Sequence, residues 1–252
     1  MTITTNYNPW VQRLTYNPEA SLRLFCFPHA GGKALDFRMW SDKLLKTVEL
    51  CPVELPGHGR RLKEPLFTRL EPLLKAIAQG LLSHLDKPFA FFGHSMGALV
   101  SFELAHLLRK EYGLEPVHLF VSGRRAPQIS NPSPPMHALP KSAFVKELCR
   151  LNGIPQVVLD NTELMQLFLP VLQADFAVNE TYVYTPEPKL NCPITVLGGL
   201  QDQVAKFDDL AAWQEQTTAS YQLQMFPGDH FFLHSAQTLF LKFLKDVLAN
   251  MF

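Results

Sequence analysis

Residues 93–97 read Gly-His-Ser-Met-Gly, between the apolar run Phe-Ala-Phe-Phe and a helical-looking stretch that begins Ala-Leu-Val-Ser-Phe. A serine hydroxyl is a weak nucleophile until a base takes its proton, so Ser95 can do covalent chemistry only if a histidine reaches it. A G-x-S-x-G match alone arises by chance about once in ten chains of this length. Its setting is more selective: a buried strand, a glycine-flanked turn and an immediate helix force the serine into an exposed, strained position. The helix N-terminus then places partial positive charge beside any oxyanion formed there.

On such an elbow the acid and then the histidine follow the serine in chain order. Of nine histidines, His84, His106 and His118 fall on helix or strand segments, His137 lies in a proline-rich stretch, and His94 shapes the turn. His230 in Gly-Asp-His-Phe-Phe follows the last candidate strand and precedes the last helix, and it is the expected base; His234 is the other candidate. Asp202 is the first carboxylate after Ile-Thr-Val-Leu-Gly-Gly and is the expected acid, which holds the imidazole tautomer. Asp208 and Asp209 look like a helix start, and Asp229 faces solvent or caps a turn. An oxyanion needs two backbone N–H donors: Met96 after the nucleophile, and Ala30 in Phe-Pro-His-Ala-Gly-Gly after an earlier strand. A glycine pair such as Gly31-Gly32 also forms plain turns.

These residues need a frame that brings strand ends together. Six short runs read as strands: 22–27, 48–55, 88–92, 117–123, 194–199 and 221–228. Most are continuously apolar, as strands buried on both faces of a parallel sheet must be. Leu70, Leu73, Leu74, Ile77, Leu81 and Leu85 mark one helical stripe, and Ala236, Leu239, Phe240, Phe243, Leu244, Val247, Leu248 and Met251 another. The alternation predicts an α/β domain with right-handed crossovers, a mostly parallel sheet flanked by helices. From 127 to 188 no strand is convincing; a proline-rich start and two or three helices read as a helical lid inserted into a core of 1–126 and 189–252. Asp160 and Glu163 have capping-box spacing before the last of these helices.

Composition narrows the classes of function. Among 252 residues, 47% are hydrophobic, enough to bury a large core, and the formal net charge is zero, so no global field draws the chain to nucleic acid or an anionic membrane. The four cysteines are far apart and read as reduced, buried thiols. The N-terminus has no secretory pattern and no apolar stretch nears the roughly 20 residues of a membrane span, so the expected location is cytoplasmic.

Phe-Pro-His-Ala-Gly-Gly with Phe-Arg-Met-Trp behind it, Glu-Leu-Pro-Gly-His-Gly-Arg-Arg (54–61), Gly-His-Ser-Met-Gly-Ala, Ser-Gly-Arg-Arg-Ala-Pro (122–127), Leu-Pro-Val-Leu-Gln-Ala-Asp-Phe (169–176), Glu-Thr-Tyr-Val-Tyr (180–184), Gly-Gly-Leu-Gln-Asp and Gly-Asp-His-Phe-Phe occur in this order. Together they resemble type II thioesterases, free-standing α/β-hydrolases that accompany polyketide synthases and nonribosomal peptide synthetases. The chain departs from that pattern at His58 and Gln173, where the family often carries arginine. The resemblance implies hydrolysis of acyl groups from the phosphopantetheine arm of a carrier protein, clearing misprimed or stalled units, with no cofactor or metal. The Asp-Ser attachment dipeptide of a carrier is absent, so the carrier is expected in trans, and the enzyme as a monomer. Substrate-lining candidates are His29, Phe144, Leu148, Leu167, Phe168, Leu172 and Phe176; candidate docking charges are Arg60, Arg61 and Lys63, or Lys141, Lys146 and Arg150. A small-molecule carboxylesterase or lipase would share the triad, and a ligand-binding protein without catalysis would share the fold.

Overall fold

The computed structural model describes residues 8–12, 17–150 and 156–251. Six strands, β1 (Leu22–Phe27), β2 (Val48–Pro52), β3 (Phe89–His94), β4 (His118–Ser122), β5 (Ile194–Gly199) and β6 (Tyr221–Phe226), form one sheet in the order β2-β1-β3-β4-β5-β6. Every pairing is parallel. Strands β1 to β5 are buried along their whole length, which is why they read as mostly apolar runs; the buried charges Arg23 of β1 and Glu49 of β2 pair with each other at 2.9 Å. Edge strand β6 is half-buried, and Gln222 and Gln224 alternate with its apolar residues.

Helices α1 (Leu70–Leu81) and α2 (Met96–Tyr112) share one core with Phe25, Phe27, Phe91 and Val121. The other face of the sheet packs Leu24, Phe92 and Leu197 against Phe37 and Trp40 and the C-terminal helix. Between β4 and β5 lie α3 (Lys141–Arg150), α4 (Gln156–Leu159) and α5 (Thr162–Glu180), with no strand among the described residues there. After β5 come α6 (Phe207–Ala211), α7 (Phe232–Ser235) and α8 (Gln237–Ala249).

Four sequence expectations are corrected. Strand β2 stops at Pro52, because Val53 leaves the ladder to bridge antiparallel to Val11. The cap of α5 is Asn161, whose side chain accepts from the Glu163 and Leu164 N–H groups, in place of an Asp160–Glu163 box. Cys26, Cys51 and Cys192 are buried, but Cys149 is exposed on α3. In α8 the buried face is Phe240, Leu241, Leu244 and Leu248, while Leu239 is 56% exposed. The rest of the predicted stripe faces the core: Ala236 is buried in it, and Phe243, Val247 and Met251 pack against it.

Helix α5 runs through Pro170. Pro170 and Gln166, whose carbonyl the proline cannot meet, are both exposed, so water can satisfy that oxygen.

Candidate active site

Strand β1 lies between β2 and β3, so the loops leaving the C-terminal ends of β1 and β3 face each other where the strand order reverses. Such a switch point opens a crevice for ligands. The β3 loop is one residue long: Ser95 has φ 54 and ψ −111, the only positive φ outside glycine among the described residues. Its N–H donates to the Ser122 carbonyl at 2.8 Å, which ties the elbow to β4. Side chains at two flanking positions would break this turn. A Cβ on Gly93 would overlap the Gly97 carbonyl, and one on Gly97 would overlap the Phe27 carbonyl of β1. Small residues therefore let α2 start hard against the sheet, with Ser95 half-exposed at its N-terminus.

Asp202 and His230 come together from the loops after β5 and β6. His230 Nδ1 lies 2.8 Å from Asp202 Oδ2, and the other carboxylate oxygen accepts from the Val204 N–H at 2.7 Å and the Ala205 N–H at 3.3 Å. The Asp202 side chain is wholly buried and that of His230 nearly so. Because the carboxylate only accepts, Nδ1 carries the proton and Nε2 is left as the basic nitrogen. The two loops are laced together by the Gln201 N–H donating to the Gly228 carbonyl and the Gly228 N–H donating to Gln201 Oε1. Gly123 leaves space against which the His94 ring and Cε1 of His230 both rest. Among the described residues, the Ser95 hydroxyl has no hydrogen-bond partner, so the serine-to-histidine link is not formed in this geometry. Such links commonly tighten only with substrate bound.

His234 donates its N–H to the Phe231 carbonyl and stacks on the Phe231 ring, while Asp202 is bonded to His230. Asp208 and Asp209 open α6, and Asp229 accepts from the Phe231 N–H within its turn. His94 is buried beneath the elbow, its Nδ1 2.9 Å from the Ser122 hydroxyl and its ring 5.0 Å from that of His230. Burial first, then the neighbouring His230 and His29, hold its pKa well below the ordinary histidine value, so it is a neutral packing partner. His29 packs edge-on to Phe231 at 5.2 Å, and burial pushes its pKa down to about 4 against the opposing pull of Asp36.

On the facing loop the Gly32 N–H closes a turn on the His29 carbonyl at 2.9 Å, with Gly31 at φ +76. Ala30 and Met96 make no turn, loop or capping hydrogen bond with their N–H groups among the described residues, as oxyanion donors require. Helix α5 reaches this loop directly. Leu172 packs on Gly31 so closely that a Cβ there would meet its Cδ2, and Asp175 Oδ2 accepts from the Gly31 N–H at 2.7 Å. Asp175 and its partner His58, 2.9 Å away, carried no assigned role in the sequence reading. The signal was a carboxylate three residues from Leu172 on an apolar helix face.

The lining candidates separate. Phe144 and Leu148 are buried with Met136, Leu169 and Leu172 in a cluster internal to α3 and α5, and Phe168 and Phe176 pack on it. Leu167 is 54% exposed and is corrected to a surface residue, since the inward row of α5 runs 165, 168, 169, 172, 176. Among the docking candidates, Arg60, Lys63, Lys141 and Lys146 are exposed. Arg61 is buried, stacked 3.9 Å over the Trp10 ring and bonded to Glu64, and Arg150 bonds Glu147 at 2.9 Å. Among the described residues no cluster of three His, Cys, Asp or Glu side chains could hold a metal ion, and no helix is long and apolar enough to cross a membrane.

The chain is similar to known proteins along most of its length. Linear gramicidin dehydrogenase LgrE of Brevibacillus parabrevis is 45% identical over 244 residues, covering 96% of this chain and 93% of the relative. Gramicidin S biosynthesis protein GrsT of Aneurinibacillus migulanus is 43% identical, covering 97% and 95%. The structure of the type II thioesterase BorB from the borrelidin biosynthetic cluster superposes with a TM-score of 0.87 at 31% identity, covering 96% of this chain and 98% of that one. The family described as Thioesterase domain matches residues 22–248, a span that holds the elbow, the Asp202–His230 pair and the helices above them, and the chain belongs to that family.

Proposed function

We propose that this chain hydrolyses acyl groups held as thioesters on the phosphopantetheine arms of carrier proteins in nonribosomal peptide or polyketide synthesis, with Ser95 as nucleophile. The observation that carries the reading is the buried Asp202–His230 hydrogen bond set beside the strained Ser95 elbow, in a thioesterase-family chain whose relatives serve such pathways. His230 Nε2 takes the hydroxyl proton as Ser95 Oγ attacks the thioester carbonyl, and the oxyanion settles between the N–H groups of Ala30 and Met96. Collapse breaks the carbon–sulfur bond. A thiol leaving group, with pKa near 8.5, needs little acid help, and the imidazolium returns its proton to the sulfur. Water, deprotonated by His230, then attacks the acyl-enzyme, and the free acid and Ser95 are regenerated.

Residues 127–188 act in this reading as a lid over the β1 and β3 loops, with the carrier arriving in trans and a monomer sufficing. The name of LgrE denotes a dehydrogenase, but Gly-x-Gly-x-x-Gly, the dinucleotide turn, does not occur in this sequence.

The test is intact-mass spectrometry of acetyl- and longer acyl-loaded carrier protein incubated with the enzyme and with Ser95→Ala. The expected result is loss of the acyl group with the phosphopantetheine arm retained, and no loss with the variant. Turnover of simple oxygen esters without any on the loaded carrier would turn the reading to a carboxylesterase, and failure of a fluorophosphonate to label Ser95 would turn it to a binding protein.

A further inference from the structure

The loop that carries Ala30 is fastened to the lid by a buried three-part strap. Asp175 on α5 is 4% exposed and His58, in the loop after β2, is 5% exposed. Asp175 Oδ2 takes the Gly31 N–H at 2.7 Å and faces His58 Nε2 at 2.9 Å, while His58 Nδ1 faces the Pro56 carbonyl at 3.0 Å. A carbonyl oxygen can only accept, and a carboxylate already accepting from Gly31 also accepts. Both imidazole nitrogens therefore point at acceptors, an arrangement that a neutral histidine, with one N–H, cannot satisfy. One nitrogen would set its lone pair against an oxygen in a site closed to water.

We propose that His58 is a positioning residue held as the imidazolium, and that its proton keeps the Ala30–Gly31 peptide set for oxyanion binding by locking Asp175, and with it α5, onto that loop. This deepens the thioesterase reading and rests on Ala30 as an oxyanion donor. The charged groups facing His58 are Asp175 from α5 and Glu54 at the start of its own loop. Arg60 and Arg61 follow it, but Arg61 is turned to Glu64 and the Trp10 ring. Burial works against the charge, and the charge and hydrogen bond of Asp175, the Pro56 carbonyl and Glu54 outweigh it, so the His58 pKa lies above the ordinary value of 6.5. The sign follows. A raised histidine pKa means the strap is fully made at pH below the unfolded histidine value and is lost as pH rises through the folded one. Above that point Asp175 is left as a buried anion with the Gly31 N–H alone, and the loop that carries Ala30 loosens.

Three readouts test this. The first is histidine side-chain 15N NMR of the wild type, with His58 identified by its absence in His58→Gln. Both ring nitrogens should be protonated at neutral pH, with a titration midpoint above 6.5; a neutral His58 there overturns the proposal whatever the enzyme's substrate is. The second is the rate of Ser95 labelling by a fluorophosphonate against pH, which uses the oxyanion site without a carrier. The wild-type rate should fall about tenfold toward alkaline pH, as His58 deprotonates. The third is the same profile for His58→Arg, a permanent cation, and for His58→Gln. The arginine should remove the alkaline fall, and the glutamine should sit about tenfold low across the whole range. An alkaline limb that is absent in the wild type or persists in His58→Arg overturns the proposal, as does a His58→Gln profile equal to the wild type. If loaded carrier is not hydrolysed while these profiles hold, the substrate assignment fails and the strap stands.

Discussion

Two aspartates near His230 differ in what they can do for it. Asp202 is wholly buried, accepts two backbone N–H groups through one oxygen and holds His230 Nδ1 with the other. Asp229, one residue from the histidine, spends its carboxylate on the Phe231 N–H at the surface of the turn. An asparagine at 202 would present an NH2 group to Nδ1, reverse the tautomer and put a proton on Nε2, where the serine proton must go. Asp202→Asn should therefore lower kcat on an acyl thioester by about 10⁴-fold with the fold intact. Asp229→Asn, which can still accept from Phe231, should stay within about twofold of wild type. Steady-state kinetics on both variants, with circular dichroism as the check on folding, decide which carboxylate serves the base. The Asp202–His230 contact was legible in the sequence because chain order and strand ends leave Asp202 as the first carboxylate on the loop after β5. The His58–Asp175 contact was not, because the two residues are 117 apart in the chain and neither sits in a local pattern that names its partner.

At the scale of elements, glycines rather than catalytic groups set how closely α2 approaches the sheet. A Cβ on Gly97 would meet the Phe27 carbonyl and the Pro28 carbonyl, both backbone, so nothing flexible can give way. Gly97→Ala should push the first turn of α2 off the end of β1, destabilise the protein by about 3 kcal/mol and slow Ser95 labelling at temperatures where the protein is still folded. Gly113, the left-handed cap of α2, has no atom within 4 Å of an added Cβ, so Gly113→Ala costs only its backbone strain at φ +66, about 1 kcal/mol, and leaves labelling unchanged. Urea denaturation of both variants beside their labelling rates separates packing from chemistry; equal effects would show that the approach of α2 does not matter to the nucleophile. Elements with a single strong cause were the readable ones. Strands β1, β3 and β4 are mostly apolar because both faces are covered, and α1 buries Leu70, Leu73, Leu74, Ile77 and Leu81 of its predicted stripe, while Leu85 lies past the end of the helix. Ends were less readable, since Asp160 and Asn161 are both good caps and only the turn closed by the Asn161 N–H on the Val158 carbonyl selects the second.

For the whole molecule, a formal net charge of zero means that a carrier protein must be met by a local surface. The sequence offered two basic clusters and could not tell solvated charges from committed ones. Arg61 is committed: it bonds Glu64 and the Glu54 carbonyl and covers Trp10, so its loss would loosen the loop that holds His58. Arg60 and Lys63 on that loop, and Lys141 and Lys146 on α3, are exposed and free to meet an acidic partner. Loop and helix both adjoin α5, because the first holds His58 against Asp175 and the second packs Phe144 and Leu148 onto α5. If the carrier docks across it, reversing all four charges should raise the apparent KM for acyl-carrier by about tenfold or more, and the increase should shrink as salt is added. The same variant should keep kcat/KM on a small acyl thioester, which reaches Ser95 without docking, within about twofold of wild type. Comparing the two substrates at low and high ionic strength separates docking from chemistry: equal losses on both would place the four charges in the fold, and no loss on either would place the carrier on another face.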